Sequence, residues 1–225
     1  VKNFIMRKGM DDKMALIKTK GSCAFCNLSQ ANFKAVDLSG IDLDYALLTG
    51  ADLRYANLSN SSLVGVDLKN KDLTGSILSY TDLRGARLDG VDFSNKDLTG
   101  TIFTDVDLSK VDLKNINLNG AILKGVNLSN KDLTGTILTF ADLSGANLDG
   151  VDLSNKDLTG VSLNEVNLSN KDLTGTTLTF ANLSGANLDG VDLSNKDLTG
   201  TIFTDVDLSK VDLKNINLNG AILKG

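Results

Sequence analysis

The side chains of this 225-residue chain whose type and spacing suggest chemistry are two cysteines, a file of recurring aspartates and six lysines at apolar positions. Cys23 and Cys26 form a C-x-x-C pair, which can exchange electrons or supply half of a metal site. A zinc site normally needs four ligands, and two thiols in a chain without histidine do not supply them. In the register worked out below, Cys23 falls on an inward leucine position and Cys26 on an inward small-residue position. Two buried free thiols are therefore expected, each packing as a small hydrophobe, with redox activity as the lesser alternative. The usual nucleophile and acid–base constellations are absent. There is no histidine and no glycine-rich phosphate loop before a helix, so the reading is non-enzymatic, with no catalytic residue, no cofactor and no metal.

The elements that position these residues follow from an internal repeat. From Leu28 to Leu223 every fifth residue is Leu or Phe without a break, and two places before it stands a small or β-branched residue such as Ala31, Val36 or Ile41. A period of five fits neither an α-helix nor simple strand alternation. It implies short extended segments joined by regular corners. Longer copies set the size of a turn. A block starting at Val66 recurs in diverged form at Val126 and Val166, offsets of 60 and 40, and residues 96–125 return unchanged at 196–225, an offset of 100. The largest common divisor is 20, the expected length of one coil; a divisor of 10 also satisfies the offsets.

The A(D/N)Lxx pattern, plain in ADLSGANLDG at 141–150 and ANLSGANLDG at 181–190, resembles the pentapeptide-repeat family over about residues 22–225. The resemblance implies an all-β fold, a right-handed four-sided parallel β-helix of about 20 residues per coil. Its coils would stack at about 4.8 Å, ten of them making a rod of roughly 50 Å. Residues 1–21 lie outside the repeat and are expected to cap it, with a short helix over 11–20. Residues 22–225 are the expected solenoid.

Placed on a coil of 20, one wall carries Asp before the central residue nine times: Asp52, Asp72, Asp92, Asp112, Asp132, Asp152, Asp172, Asp192 and Asp212. The plainer reading is that these satisfy turn amides; the functional one is an acidic ladder that imitates a nucleic-acid backbone, holds cations or meets a basic partner. The next wall carries outward aromatics at Tyr80, Phe140 and Phe180, a candidate docking stripe. A third has Asn127, Asn147, Asn167 and Asn187 in register, expected to form an amide ladder between coils. Lys71, Lys131 and Lys171 on the aspartate wall, and Lys96, Lys156 and Lys196 on the aromatic one, occupy the inward small-residue position. Their stems are expected to line the wall while each ammonium reaches out at a corner to an Asp or a carbonyl.

Segment 1–21 carries six basic residues against Asp11 and Asp12, leaving it about +4 and the rest about −9 of a net −5. An acidic repeat disfavours direct nucleic-acid binding. No apolar run is long enough for a signal peptide or a membrane span, so the default placement is cytoplasmic, away from a membrane. The favoured function is a structural scaffold that binds an unidentified protein through its walls or ends. The resemblance also implies an alternative, since some family members imitate DNA and bind type II topoisomerases such as gyrase. A third reading is end-to-end self-association into a fibre through the C-terminal coil.

Overall fold

The computed structural model describes Ile17 and residues 21–224. Every β-bridge among them is parallel and joins residues 20 apart, from Ser22 with Asp42 to Ile202 with Ile222. One coil is therefore four pentapeptides long. We name the four faces wall A (21–25 and every 20 residues onward), wall B (26–30), wall C (31–35) and wall D (36–40).

The corners explain the period of five. The central residue's carbonyl accepts a hydrogen bond from the N–H three places on, as in Ala31 to Leu28 at 3.1 Å and Ala56 to Leu53 at 3.1 Å. This closes a β-turn whose third residue has positive φ, a conformation suited to Gly or Asn. That position holds Gly40, Asn60, Gly100 and Asn155, and nearly all its counterparts share the left-handed backbone. The Asp or Asn before each central residue bonds the corner from outside. Its Oδ1 accepts the N–H two places on, as in Arg54 to Asp52 at 3.1 Å and Ser129 to Asn127 at 3.0 Å.

Inside, the central leucines and phenylalanines from Leu28 to Phe203 are buried together with most of the small residues two places earlier, while Leu208, Leu213 and Leu218 are partly covered and Leu223 is exposed. Each fully buried leucine contributes about 1.5–3 kcal/mol relative to exposure. Phe93 and Phe103 meet edge to face, with ring centroids 6.3 Å apart. Buried hydroxyls replace methyl groups at several small positions without leaving a polar atom stranded. Thr81 and Thr101 donate to the carbonyls of Leu58 and Leu78 in the preceding coil at 2.8 and 2.9 Å.

Wall A is bridged without a break from Ser22 to Ile222. Wall C has bridges only at Asn32 with Asp52 and Asp192 with Asp212. At the N-terminal side Ile17 is helical and buried, and its carbonyl accepts the N–H of Gly21 at 3.0 Å. The rest of the helix expected over 11–20, and nearly all of the 1–21 cap segment, lie outside the described residues.

Two expectations need correction. Cys23 and Cys26 are not free thiols: they form a disulfide across the first corner, with Cα atoms 5.2 Å apart. The turn that brings the Cys26 N–H to the Cys23 carbonyl, at 3.0 Å, also brings the two side chains together. Cys23 is buried, whereas Cys26 is only partly covered. The amide ladder is also misplaced. Asn127, Asn147, Asn167 and Asn187 each turn Oδ1 onto their own corner. Asparagines that do bond the neighbouring coil's side chains include those of wall D, where Asn57, Asn117 and Asn217 donate to Asp37, Asp97 and Asp197 at 3.0–3.1 Å. A charged carboxylate is the stronger acceptor, and Asn215, stacked on Asn195, donates to its Oδ1 at a longer 3.3 Å.

Candidate interaction surfaces

All nine aspartates of wall C bind the backbone N–H two places on, with Oδ1 accepting at 2.7–3.1 Å. That bond stabilises the carboxylate charge, and a neighbouring hydroxyl or cation adds to it. Arg54 holds Asp52 down to about 2 through a bidentate pair, with its Nη2 2.6 Å from Oδ2. Thr134, and after it Lys114 at 2.9 Å, hold Asp132 well below the usual carboxylate range. Hydrogen bonds from Thr74, Ser94, Ser154, Thr174 and Ser194 lower Asp72, Asp92, Asp152, Asp172 and Asp192.

The wall is not uniformly acidic. Asp52, Asp132 and Asp212 are paired with Arg54, Lys114 and Lys214. Among the described residues Asp152, Asp172 and Asp192 have no ion pair, and all three are exposed. They occupy three successive coils, as do Asp72, Asp92 and Asp112, which are likewise exposed and without an ion pair among the described residues.

The aromatics stand at the corner between walls D and A. Tyr80, Phe140 and Phe180 are 57%, 61% and 60% exposed. Each ring lies over a glycine of the next coil, Gly100, Gly160 and Gly200, occupying the space a Cβ would need. Ile77 and Ile137 on wall D are also exposed, in the same pentapeptides as Tyr80 and Phe140. A second aromatic group, not among the expected site residues, lies near the N-terminal side. There Phe25 and Tyr45 stack with centroids 5.1 Å apart, and Tyr55 lies over Gly75 with Lys34 6.0 Å from its ring. Its signal was legible, because Phe25 precedes Tyr45 by one coil and Tyr45 precedes Gly65 by another.

The six wall lysines reach backbone carbonyls of the preceding coil. Lys96 Nζ donates to Leu73 O at 2.6 Å and Ser76 O at 3.3 Å, Lys171 to Leu148 and Val151 at 2.7 and 3.0 Å, and Lys196 to Leu173 and Thr176 at 2.5 and 3.1 Å. Lys71 binds Leu48 O and Ala51 O, and Lys156 binds Leu133 O. Lys131 takes Ser109 O and Val111 O at 2.7 and 2.9 Å. Partial burial pushes Lys71, Lys96, Lys131, Lys156 and Lys196 below the ordinary lysine range.

Among the described residues no group of three or more His, Cys, Asp or Glu is placed to hold a metal ion. Among them, no helix is long and apolar enough to cross a membrane.

A family model described as pentapeptide repeats matches the chain in eight copies between residues 31 and 225. No curated protein matches it in sequence. Among solved structures, HetL, a pentapeptide repeat protein involved in heterocyst differentiation regulation from the cyanobacterium Nostoc, is 32% identical, with 94% of each chain covered and a TM-score of 0.52. Trypsin-treated QnrB1, a plasmid-mediated fluoroquinolone resistance protein, is 22% identical over 74% of this chain and 85% of its own, with a TM-score of 0.44. A pentapeptide repeat protein from the Arabidopsis thaliana thylakoid lumen is 28% identical over 57% of this chain and 69% of its own, with a TM-score of 0.18. The repeat shared with these proteins is that of the right-handed quadrilateral β-helix.

Proposed function

Because the chain belongs to the pentapeptide-repeat family, we propose that it is a non-enzymatic scaffold that binds a protein partner along its walls. The observation that carries this reading is the run of Asp152, Asp172 and Asp192, exposed in successive coils without an ion pair. Phe140 and Phe180 stand one wall away at the D/A corner and offer apolar contact beside the charge. A partner with a basic face and an apolar pocket fits this pairing. The role of HetL in regulation is in keeping with such a scaffold. The reading takes residues 22–225 as ten coils, with a helical cap over 11–20 to which the burial of Ile17 lends support.

Imitation of DNA by the acidic wall has weaker support. Three of the nine carboxylates are paired, every one is drawn onto its own corner, and the lysines interrupt the column.

The test is affinity capture with the native chain and with an Asp152→Asn, Asp172→Asn, Asp192→Asn variant. Asn keeps the Oδ1 acceptor and removes only charge. Loss of a captured partner with the triple variant, and with Phe140→Ala plus Phe180→Ala, supports the scaffold. An identical captured set from native and variant chains sinks it. Inhibition of gyrase supercoiling by the native chain would favour the DNA-mimic reading. Light scattering that grows with concentration would favour a fibre.

A further inference from the structure

One motif of the sequence is not absorbed by the scaffold reading. A decamer of the form V-(D/N)-(L/F)-(S/K)-N-K-D-L-T-G stands at 66–75, 91–100, 126–135, 151–160, 166–175 and 191–200. Each copy carries one of the six wall lysines.

Where coils are fully zipped, neighbouring pentapeptides exchange backbone bonds in both directions. On wall A, Leu83 N–H donates to Ile102 O at 2.9 Å, Ile102 N–H to Thr81 O at 3.0 Å and Gly85 N–H to Thr104 O at 3.3 Å. Beneath the decamer 191–200 this pattern stops. Leu173, Gly175 and Leu178 do not donate to Asp192, Ser194 and Asp197, nor do Asp192 and Asp197 donate to Lys171 and Thr176. The ladder resumes where Phe180 N–H meets Thr199 O at 2.8 Å. The same five bonds are missing beneath each of the other copies, and it resumes each time at the decamer's threonine: Thr74, Thr99, Thr134, Thr159 and Thr174 accept N–H groups at 2.7–2.9 Å. Bridges are lost at the corresponding places on walls B, C and D, and also between residues 87 and 107, 92 and 112, and 187 and 207, where the overlying segment carries valine and not lysine inward, whereas wall A keeps all of its own.

The lysine occupies the gap. Its ammonium takes carbonyls that the ladder would otherwise use, as Lys196 does with Thr176 O and Lys171 with Val151 O. The gaps are also open. A cleft of about 650 Å³ runs between 171–175 and 191–195, and clefts of about 610 and 510 Å³ lie at the equivalent places along 131–135 and 71–75. Their linings mix backbone, Asp, Asn and Lys, a surface too polar and too balanced in charge to select an apolar or strongly charged ligand. Backbone N–H and C=O groups released from a ladder need other partners, and water enters a site that is both roomy and polar.

We propose that each decamer builds a hydrated seam between two coils: water bonds the released amides and carbonyls, the lysine ammonium props the coils apart, and wall A acts as the continuous spine. Copies occur in pairs 25 residues apart, so the seams come in three pairs on successive coils. The rod is then zipped along one face and loosened on the others, beneath the three pairs of decamers and also beneath 106–115 and 206–210. The arrangement is independent of whether a partner binds wall C.

Amide hydrogen exchange followed by NMR on the full chain tests this. The amides of Leu73, Gly75, Leu133, Gly135, Leu173 and Gly175 should exchange about 100-fold or more faster than those of Leu83, Gly85, Leu143, Gly145, Leu183 and Gly185 on wall A. Equal rates on the two walls, whether fast or slow, overturn the proposal. Lys196→Thr places in the seam the residue found at 136 and 176, whose hydroxyls bond the preceding coil. The variant should slow the Leu178 amide toward the wall A rate and leave Leu133 unchanged. A Leu178 rate that does not move removes the lysine from the mechanism and overturns it as stated.

Discussion

The ring of Phe180 lies directly over Gly200, with Cδ1 and Cε1 where a side chain on the glycine would begin. Gly200 also has φ of +67°, so it is held to glycine by its backbone and by its neighbour at once. Gly200→Ala should therefore destabilise the chain by about 2 kcal/mol, roughly half of it from the left-handed backbone. In a Phe180→Ala background the same substitution should cost only about 1 kcal/mol. Denaturant titration of the four proteins of this cycle measures the difference, and strict additivity would show that the ring moves aside at no cost.

Acid should unfold the chain through wall C. A carboxylate whose folded value lies below its unfolded one stabilises the fold above the unfolded value, and that contribution disappears as pH falls toward the folded value. Asp52 sits at about 2 against an ordinary 3.8, and Asp72, Asp92, Asp152, Asp172 and Asp192 are shifted the same way. Thermal midpoints should thus hold above about pH 5 and fall steadily below 3.8. Arg54→Gln should raise the Asp52 titration midpoint toward 3.8, read by carboxyl NMR.

The disulfide predicts a redox-sensitive first coil. Protein purified without reductant should show no titratable thiol, and reduction should release two. Because the bridge closes so short a loop, its chain-entropy contribution is only about 2 kcal/mol. Cys23→Ala with Cys26→Ala should therefore leave the rod folded and raise exchange in residues 21–45 alone. Readily titrated thiols in the untreated protein would contradict the bridge.

The core should be cut most severely at its middle. Leu163 is fully buried, and Leu163→Ala should cost about 2–5 kcal/mol because neighbouring coils, held by their own ladders, close only partly over the lost volume. The companion Asn164→Ala, on the outer side of the same pentapeptide, should cost about 0.5 kcal/mol or less. Paired thermal melts compare the two directly.

Taken alone, the sequence determined the period of five. Leu or Phe at every fifth place puts the central leucines inside, duplications offset by multiples of 20 point to a coil of 20 while also admitting 10, and the bridges between residues 20 apart decide for 20. The inward burial of Leu163 and the corner bond of Asp152 were likewise legible, because both depend only on neighbours within one pentapeptide. What the tertiary structure decided lies between coils or between atoms whose distance no spacing reports. Cys23 and Cys26 share the expected wall positions, yet the corner brings their sulfurs into a bond. The lysine ammonium had an Asp and a carbonyl within plausible reach, and the carbonyl of the preceding coil prevails. Ladder bonds are also lost beneath 106–115, which has no inward lysine, but beneath each decamer the loss includes a competition between a side-chain donor and the backbone. Its outcome depends on where the preceding coil's carbonyls point, which only the stacked structure determines.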